Sequence, residues 1–227
     1  MKKKRAIVTG GFGFIGSHLV ELLIKKNFKV IVIDDLSSGK LENINKKLRS
    51  KILFFKLDLS SKSKLCKILK KNDLVFHLAS KADIVPSIND PLLYFRSNVL
   101  STQVLLEASR EKKIKKLIYA ASSSSYGIPK KFPTLEKSPM DPQYPYALTK
   151  WIGEELCKHW NKVYKLPIIS LRLFNVYGTR ARTKGSYGAM FGVFLGQKKA
   201  KKPLTVVGSG KQKRDFTYVT DVANGFY

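Results

Sequence analysis

Cysteine is all but missing from this chain of 227 residues: Cys66 and Cys157 are the two present, both inside helical patterns. A pair so placed builds no disulfide framework and reads as reduced thiols, so the fold must rest on an apolar core. Long hydrophobic runs are absent as well. No apolar stretch approaches the ~20 residues that span a bilayer. The basic start Met1-Lys2-Lys3-Lys4-Arg5 resembles a secretion signal, but Thr9-Gly10-Gly11 interrupts the apolar residues that follow it too early. These absences predict a cytoplasmic protein with no membrane partner. Histidines are few, and His18, His77 and His159 each sit in otherwise apolar patterns, so no metal site is expected.

Acidic residues are scarce too, 16 against 43 basic ones, which leaves a net charge of +27. Such an excess suits nucleic-acid binding. Its distribution does not. The basic residues fall in scattered twos (Lys46-Lys47, Lys112-Lys113, Lys115-Lys116, Lys198-Lys199), with no basic arm and no interleaved aromatics. Only 8 are arginine, the residue preferred for bidentate phosphate and base contacts. The expectation is a solvated, lysine-biased surface with no nucleic-acid partner, one that attracts anionic ligands in a salt-dependent way.

What the chain does have is a glycine turn between a strand and a helix. Ala6-Ile7-Val8 reads as a buried parallel strand, and Thr9-Gly10-Gly11-Phe12-Gly13-Phe14-Ile15-Gly16 follows it. Ile15, Leu19, Leu22 and Leu23 then recur on one helix face. Glycines let the backbone turn tightly, and free amides at a helix start face the charge of a pyrophosphate. The spacing alone is common; the flanking strand and helix give it meaning.

A second apolar strand, Phe28 to Ile33, ends at Asp34-Asp35, and Asp34 follows Gly10 by 24 residues. That interval suits a carboxylate accepting bonds from the adenosine ribose, which favours NAD over NADP because it would repel a 2′-phosphate. Leu36 to Lys40 is a polar loop. Further strands are expected over 52–57, closed by Asp58-Leu59, over 74–78, followed by the small residues Ala79-Ser80, and over 116–121. Helices are expected over 61–71 and, carrying Asn98, over 90–111. Alternating strands and helices mean an α/β, Rossmann-like, doubly wound parallel sheet with helices on both faces and a ligand crevice at the strands' carboxyl ends.

The chemistry is expected where the fifth strand ends, at Ser122-Ser123-Ser124-Ser125-Tyr126-Gly127. After a proline-rich loop, a helix opens near Tyr146, and Lys150 lies four residues on, on the same face. The other match to this spacing, Tyr126 and Lys130, encloses Gly127 and Pro129 and cannot be regular helix. A phenol acting as a base near neutral pH needs its pKa of ~10 lowered by about three units, worth ~4 kcal/mol, and the Lys150 ammonium together with an oxidised nicotinamide would supply that. Ser122 would orient the same substrate hydroxyl.

These residues, together with Asn98, the stretch Leu171-Arg172-Leu173-Phe174-Asn175-Val176-Tyr177-Gly178 and the stretch Gly208 to Val219, resemble the extended short-chain dehydrogenase/reductases. Within them the resemblance is to the NAD-dependent nucleotide-sugar epimerases and dehydratases, above all the UDP-glucose 4-epimerase group. It implies Ser122, Tyr146 and Lys150 as the catalytic set. The NAD contacts it implies begin with Gly10, Gly13, Phe14, Ile15 and Gly16, then Asp34, Asp35, Ser38 and Gly39 after the second strand. They continue with Asp58 and Leu59 along the adenine, then Leu78, Ala79, Ser80, Ala82 and Asn98, and Phe174 beside Tyr146 and Lys150. The nucleotide-sugar would meet Ser87, Ser122, Ser123, Tyr146, Asn175, Gly188, Ala189 and Arg214, with Asn175 and Arg214 on its diphosphate.

The implied reaction moves hydride from carbon 4 of a UDP-hexose to NAD while Tyr146 takes the hydroxyl proton, then returns hydride to the other face of the keto-sugar. The 4,6-dehydratases of the group carry an Asp-Glu pair where this chain has Ser123 and Ser124, which lack the carboxyls for eliminating water. Alternatives are another NAD-dependent nucleotide-sugar modification, by a 4,6-dehydratase or oxidoreductase, or a non-catalytic dinucleotide-binding protein. The resemblance also implies a homodimer packed through helices near 90–111 and 144–164. It divides the chain into an NAD-binding domain, 1–176, and a nucleotide-sugar lobe, 177–227. Relatives in the group continue well beyond Tyr227, so this lobe is expected to be incomplete, with NAD binding kept and sugar-nucleotide affinity impaired.

Overall fold

A computed structural model describes residues 3–181, 190–206 and 208–227. Six parallel strands form its central sheet: β1 (Arg5–Thr9), β2 (Lys29–Asp34), β3 (Leu53–Lys56), β4 (Leu74–His77), β5 (Lys116–Ser122) and β6 (Ile168–Leu173), in the order β3-β2-β1-β4-β5-β6. The order reverses between β1 and β4, the switch point at which open α/β sheets leave a crevice at their carboxyl ends. A separate two-stranded parallel sheet pairs β7 (Asn175–Tyr177) with β8 (Phe216–Tyr218), and β7 crosses the expected domain boundary.

The helices are α1 (Phe14–Lys25), α2 (Lys46–Arg49), α3 (Lys62–Ile68), α4 (Ile84–Asn89), α5 (Pro91–Tyr94), α6 (Ser101–Glu111), α7 (Pro145–Tyr164), α8 (Met190–Lys199) and α9 (Val219–Phe226). Period-two alternation splits the core across the sheet. Ala6 and Val8 of β1 pack with Leu19 and Leu23 of α1 and with Val222 and Phe226 of α9. Ile7 faces the other way, among Leu65 of α3, Leu105 of α6 and Cys157 of α7. Among the described residues, no helix is long and apolar enough to cross a membrane.

All five expected strands form, with ends displaced by at most one residue, and β6 is a sixth that the sequence reading did not resolve. The expected helix over 61–71 stops at Ile68 because Leu69 is extended. Asp73 then gathers the next turn, accepting bonds from the Lys70 amide (2.8 Å) and from Arg5 at the start of β1 (2.7 Å). The expected continuous helix over 90–111 is instead α5, a π-helical turn over Phe95–Leu100, and α6. Within that turn Asn98 is pulled inward. Its side chain accepts from the Lys81 amide (2.8 Å) and donates to the Lys81 carbonyl and the Thr149 hydroxyl (3.0 Å each). Single π turns of this kind frequently accompany functional sites.

Candidate active site

The glycine turn has the geometry its spacing predicts. Gly10 adopts φ +69°, and a Cβ there would lie 2.7 Å from the Ala79 amide nitrogen. A Cβ on Gly16 would run into the Gly10 carbonyl oxygen. Gly13 precedes the first turn of α1 and contributes no capping side chain, and no acidic residue occupies that turn. Helix-start amides left without a side-chain acceptor, behind a turn that no Cβ can enter, suit a pyrophosphate. Beside them Asp34, 6% exposed, accepts bonds from the amides of Phe12 and Leu36, both at 2.9 Å. Burial raises its carboxyl above the ordinary range, against those two bonds. Each oxygen keeps a lone pair for a ribose hydroxyl. A Cβ on Gly39 would come within 3.0 Å of the same carboxylate. Asp35 and Asp58 are turned to the amides of Ser37 and Ser60, 2.8 Å each.

Across the crevice a buried polar relay fixes the residues after β4. Thr102 donates to the Asn98 carbonyl, so its oxygen accepts from His77 Nε2 at 2.9 Å. The opposite ring nitrogen, Nδ1, must then accept from the Thr9 hydroxyl at 2.8 Å. Thr9 Oγ1 in turn accepts from the amides of Leu78 and Ala79, 3.2 Å each. One neutral imidazole thus joins the end of β1, the stretch after β4 and the Asn98 turn. Burial, with Lys150 adding, pulls the His77 pKa down to about 3. Lys81 reaches over the crevice, its ammonium 3.1 Å from Ser37 Oγ and 3.4 Å from Ser38 Oγ. Sequence reasoning picked out Ser38 and the stretch from Leu78 to Ala82 but not this relay, since its links from His77 to Thr9 and Thr102 span 68 and 25 positions and leave no local pattern.

At the end of β5, Ser122 accepts from the Ser124 amide (3.2 Å), and the Tyr146 hydroxyl donates to Ser122 Oγ at 3.4 Å. The Pro145 start of α7 sets Tyr146 in its first turn, with Lys150 one turn on and 4% exposed. Burial raises the Tyr146 phenol above its ordinary pKa, only partly opposed by the Ser122 bond. The protein without cofactor therefore does not provide the expected lowering. Lys150 is lowered by burial to about 8, so it is mainly ammonium at neutral pH. Ser87 is fully buried in α4; its hydroxyl donates to the Ile84 carbonyl and accepts from the Tyr146 amide (3.1 Å). Asn175 of β7 pairs with Phe216 of β8, and its side-chain amide donates to the carbonyl of Asp215, next in sequence to Arg214, whose guanidinium donates to the Lys213 carbonyl (2.9 and 2.8 Å). Phe174 lies 39% exposed with its ring 6.4 Å from that of Tyr126. Gly188 and Ala189 lie outside the described residues. Among the described residues, no three His, Cys, Asp or Glu side chains gather as metal ligands.

The model of the NAD dependent epimerase/dehydratase family matches residues 6–227. The chain belongs to this family. It is 38% identical over 219 residues to a putative UDP-glucose 4-epimerase of Methanocaldococcus jannaschii, covering 96% of this chain and 70% of that one. It resembles the structure of the UDP-N-acetylglucosamine 4-epimerase from Methanobrevibacter ruminantium M1, in complex with UDP-N-acetylmuramic acid, with a TM-score of 0.94 and 39% identity over 99% of this chain and 72% of that one. A UDP-glucuronic acid 4-epimerase variant from Bacillus cereus, bound to NAD and a fluorinated UDP-glucuronic acid, gives a TM-score of 0.89 at 37% identity over 97% and 71% of the two chains.

Proposed function

We propose that this protein is an NAD-dependent nucleotide-sugar 4-epimerase acting on a UDP-hexose. The observation that carries the reading is the meeting of the Tyr146 and Ser122 hydroxyls at the carboxyl end of β5, with Lys150 one helical turn behind. Tyr146 Oη takes the proton from the sugar's 4-hydroxyl and later returns it, while Ser122 Oγ holds that oxygen in place. Lys150, as ammonium, favours the phenolate. When bound, NAD supplies the hydride acceptor and donor. Gly10, Gly13 and Gly16 make room for its pyrophosphate over the Phe14 and Ile15 amides, Asp34 takes the ribose, and Asn98 holds the wall after β4. Asn175 and Arg214 are assigned to the substrate diphosphate, with Ser123 near the sugar. Ser87, committed on both sides, serves by fixing the start of α7.

The division near residue 176 into cofactor and sugar-nucleotide parts, and a cytoplasmic location, belong to the same proposal. So does a homodimer. Leu92, Phe95 and Leu148, 57%, 48% and 42% exposed, present apolar surface on the helices assigned to it.

Tyr146→Phe tests the reading. NAD affinity by calorimetry should stay within about twofold, while interconversion of UDP-hexoses, followed by NMR, should fall by ~10²–10⁴. Undiminished turnover would remove Tyr146 from the role. A panel of UDP-glucose, UDP-N-acetylglucosamine and UDP-glucuronic acid identifies the hexose.

A further inference from the structure

Lys150 is a buried ammonium with no carboxylate of its own. Among the described residues no ion pair includes it, and Glu154, on the next turn of α7, is held by Arg172 at 2.7 Å and Lys158 at 3.3 Å. What lies against the charge is an aromatic face: Lys150 Nζ sits 4.5 Å from the centroid of the Tyr119 ring, well inside the ~6 Å reach of a cation–π contact.

Tyr119 is 1% exposed and held from several sides. Its hydroxyl donates to the Lys150 carbonyl at 3.4 Å. Gly153 leaves the space that hydroxyl needs, since a Cβ there would collide with it. The His77 ring lies 5.6 Å away. Burial pushes the Tyr119 phenol well above its ordinary pKa, so the ring stays neutral and presents its negative face. The other titratable groups around Lys150 are Tyr146, Glu154 and Cys157 from α7 and His77 from β4. Cys157 is pushed up to about 12 by burial and stays a thiol, and His77 is uncharged near neutrality.

We propose that Tyr119 is a positioning residue: its ring face keeps Lys150, one helical turn from Tyr146, in place and in the ammonium form. The inference rests on Tyr146 being the base. With burial already drawing Lys150 to about 8, loss of the ring's attraction would leave many molecules with a neutral lysine at pH 7.

The test keeps the ring's shape and drains its face. Position 119 is occupied in turn by phenylalanine (Tyr119→Phe) and by 4-fluoro-, 3,5-difluoro- and 3,4,5-trifluorophenylalanine, introduced site-specifically. The Lys150 side-chain resonance, assigned through Lys150→Arg, is titrated by NMR in protein labelled with 13C-lysine. Its midpoint should fall stepwise with fluorination, by about one pH unit across the series, and the alkaline limb of turnover should move with it. A midpoint that stays constant across the four rings overturns the proposal. The titration needs neither cofactor nor sugar, so that result leaves the epimerase reading standing, whereas full turnover by Tyr146→Phe removes the reading without touching the titration.

Discussion

At the scale of single residues, the site is built from groups that burial has moved off their ordinary protonation behaviour. His77 is the most displaced of those with a stated value, its pKa drawn down to about 3 in the folded protein against ~6.5 when unfolded. Between those values the unfolded chain binds a proton that the native one refuses. Stability is therefore fully present above pH ~6.5 and drains as the pH falls toward 3. From pH 6.5 to about 5, above the range where most carboxylates titrate, the loss from this residue is about 2 kcal/mol. Denaturant melts of the protein and of His77→Gln over that interval should show a steep dependence in the first and a flatter one in the second. Equal slopes would mean that His77 is not the group responsible. None of this was legible in the sequence, where His77 looks like an ordinary member of an apolar strand. Its meaning comes from Thr9 and Thr102, 68 and 25 positions away.

At the scale of elements, what could be read was what a short window encodes. The turn from Thr9 to Gly16 needs glycine in part for local reasons, the positive φ of Gly10 and the Gly10 carbonyl that a Cβ on Gly16 would meet, although Gly10 also lies against distant Ala79. Tyr146 and Lys150 share a face because a helix repeats every 3.6 residues. The break in the expected 90–111 helix was invisible because its cause, the bonding of Asn98 to Lys81 and Thr149, is tertiary. The end of α7, expected near 164 and found at Tyr164, carries no glycine signal. Lys165 closes that helix in the left-handed region, φ +54°, where a side chain costs ~1–2 kcal/mol and glycine pays nothing. Lys165→Gly should therefore stabilise the protein, by about 0.5–1 kcal/mol once the greater freedom of glycine in the unfolded chain is subtracted. An upward shift in the urea midpoint at unchanged slope is the result to expect; a downward shift would mean that the lysine side chain makes a contact outweighing its backbone strain.

At the scale of the whole molecule, the charge of +27 acts at a distance rather than at any one contact. NAD and UDP-sugars are anions, so their association rate constants should fall several-fold between about 0.05 and 0.5 M salt, while dissociation changes little. Stopped-flow binding separates the two, and a flat association rate would show that the surface lysines do not steer. The same scale holds the contact between α9 and α1, where Val222, Ala223 and Phe226 cover the helix that opens on the glycine turn. Roughly 190 residues separate these partners, and at ~5–20 residues per second a ribosome needs about 10 to 40 s to span them. Throughout that interval the first helix has emerged with its apolar flank uncovered. In the cell, its outer side depends on a cover made long after the helix itself, and nascent chains stalled before Val219 should be the ones that chaperones retain.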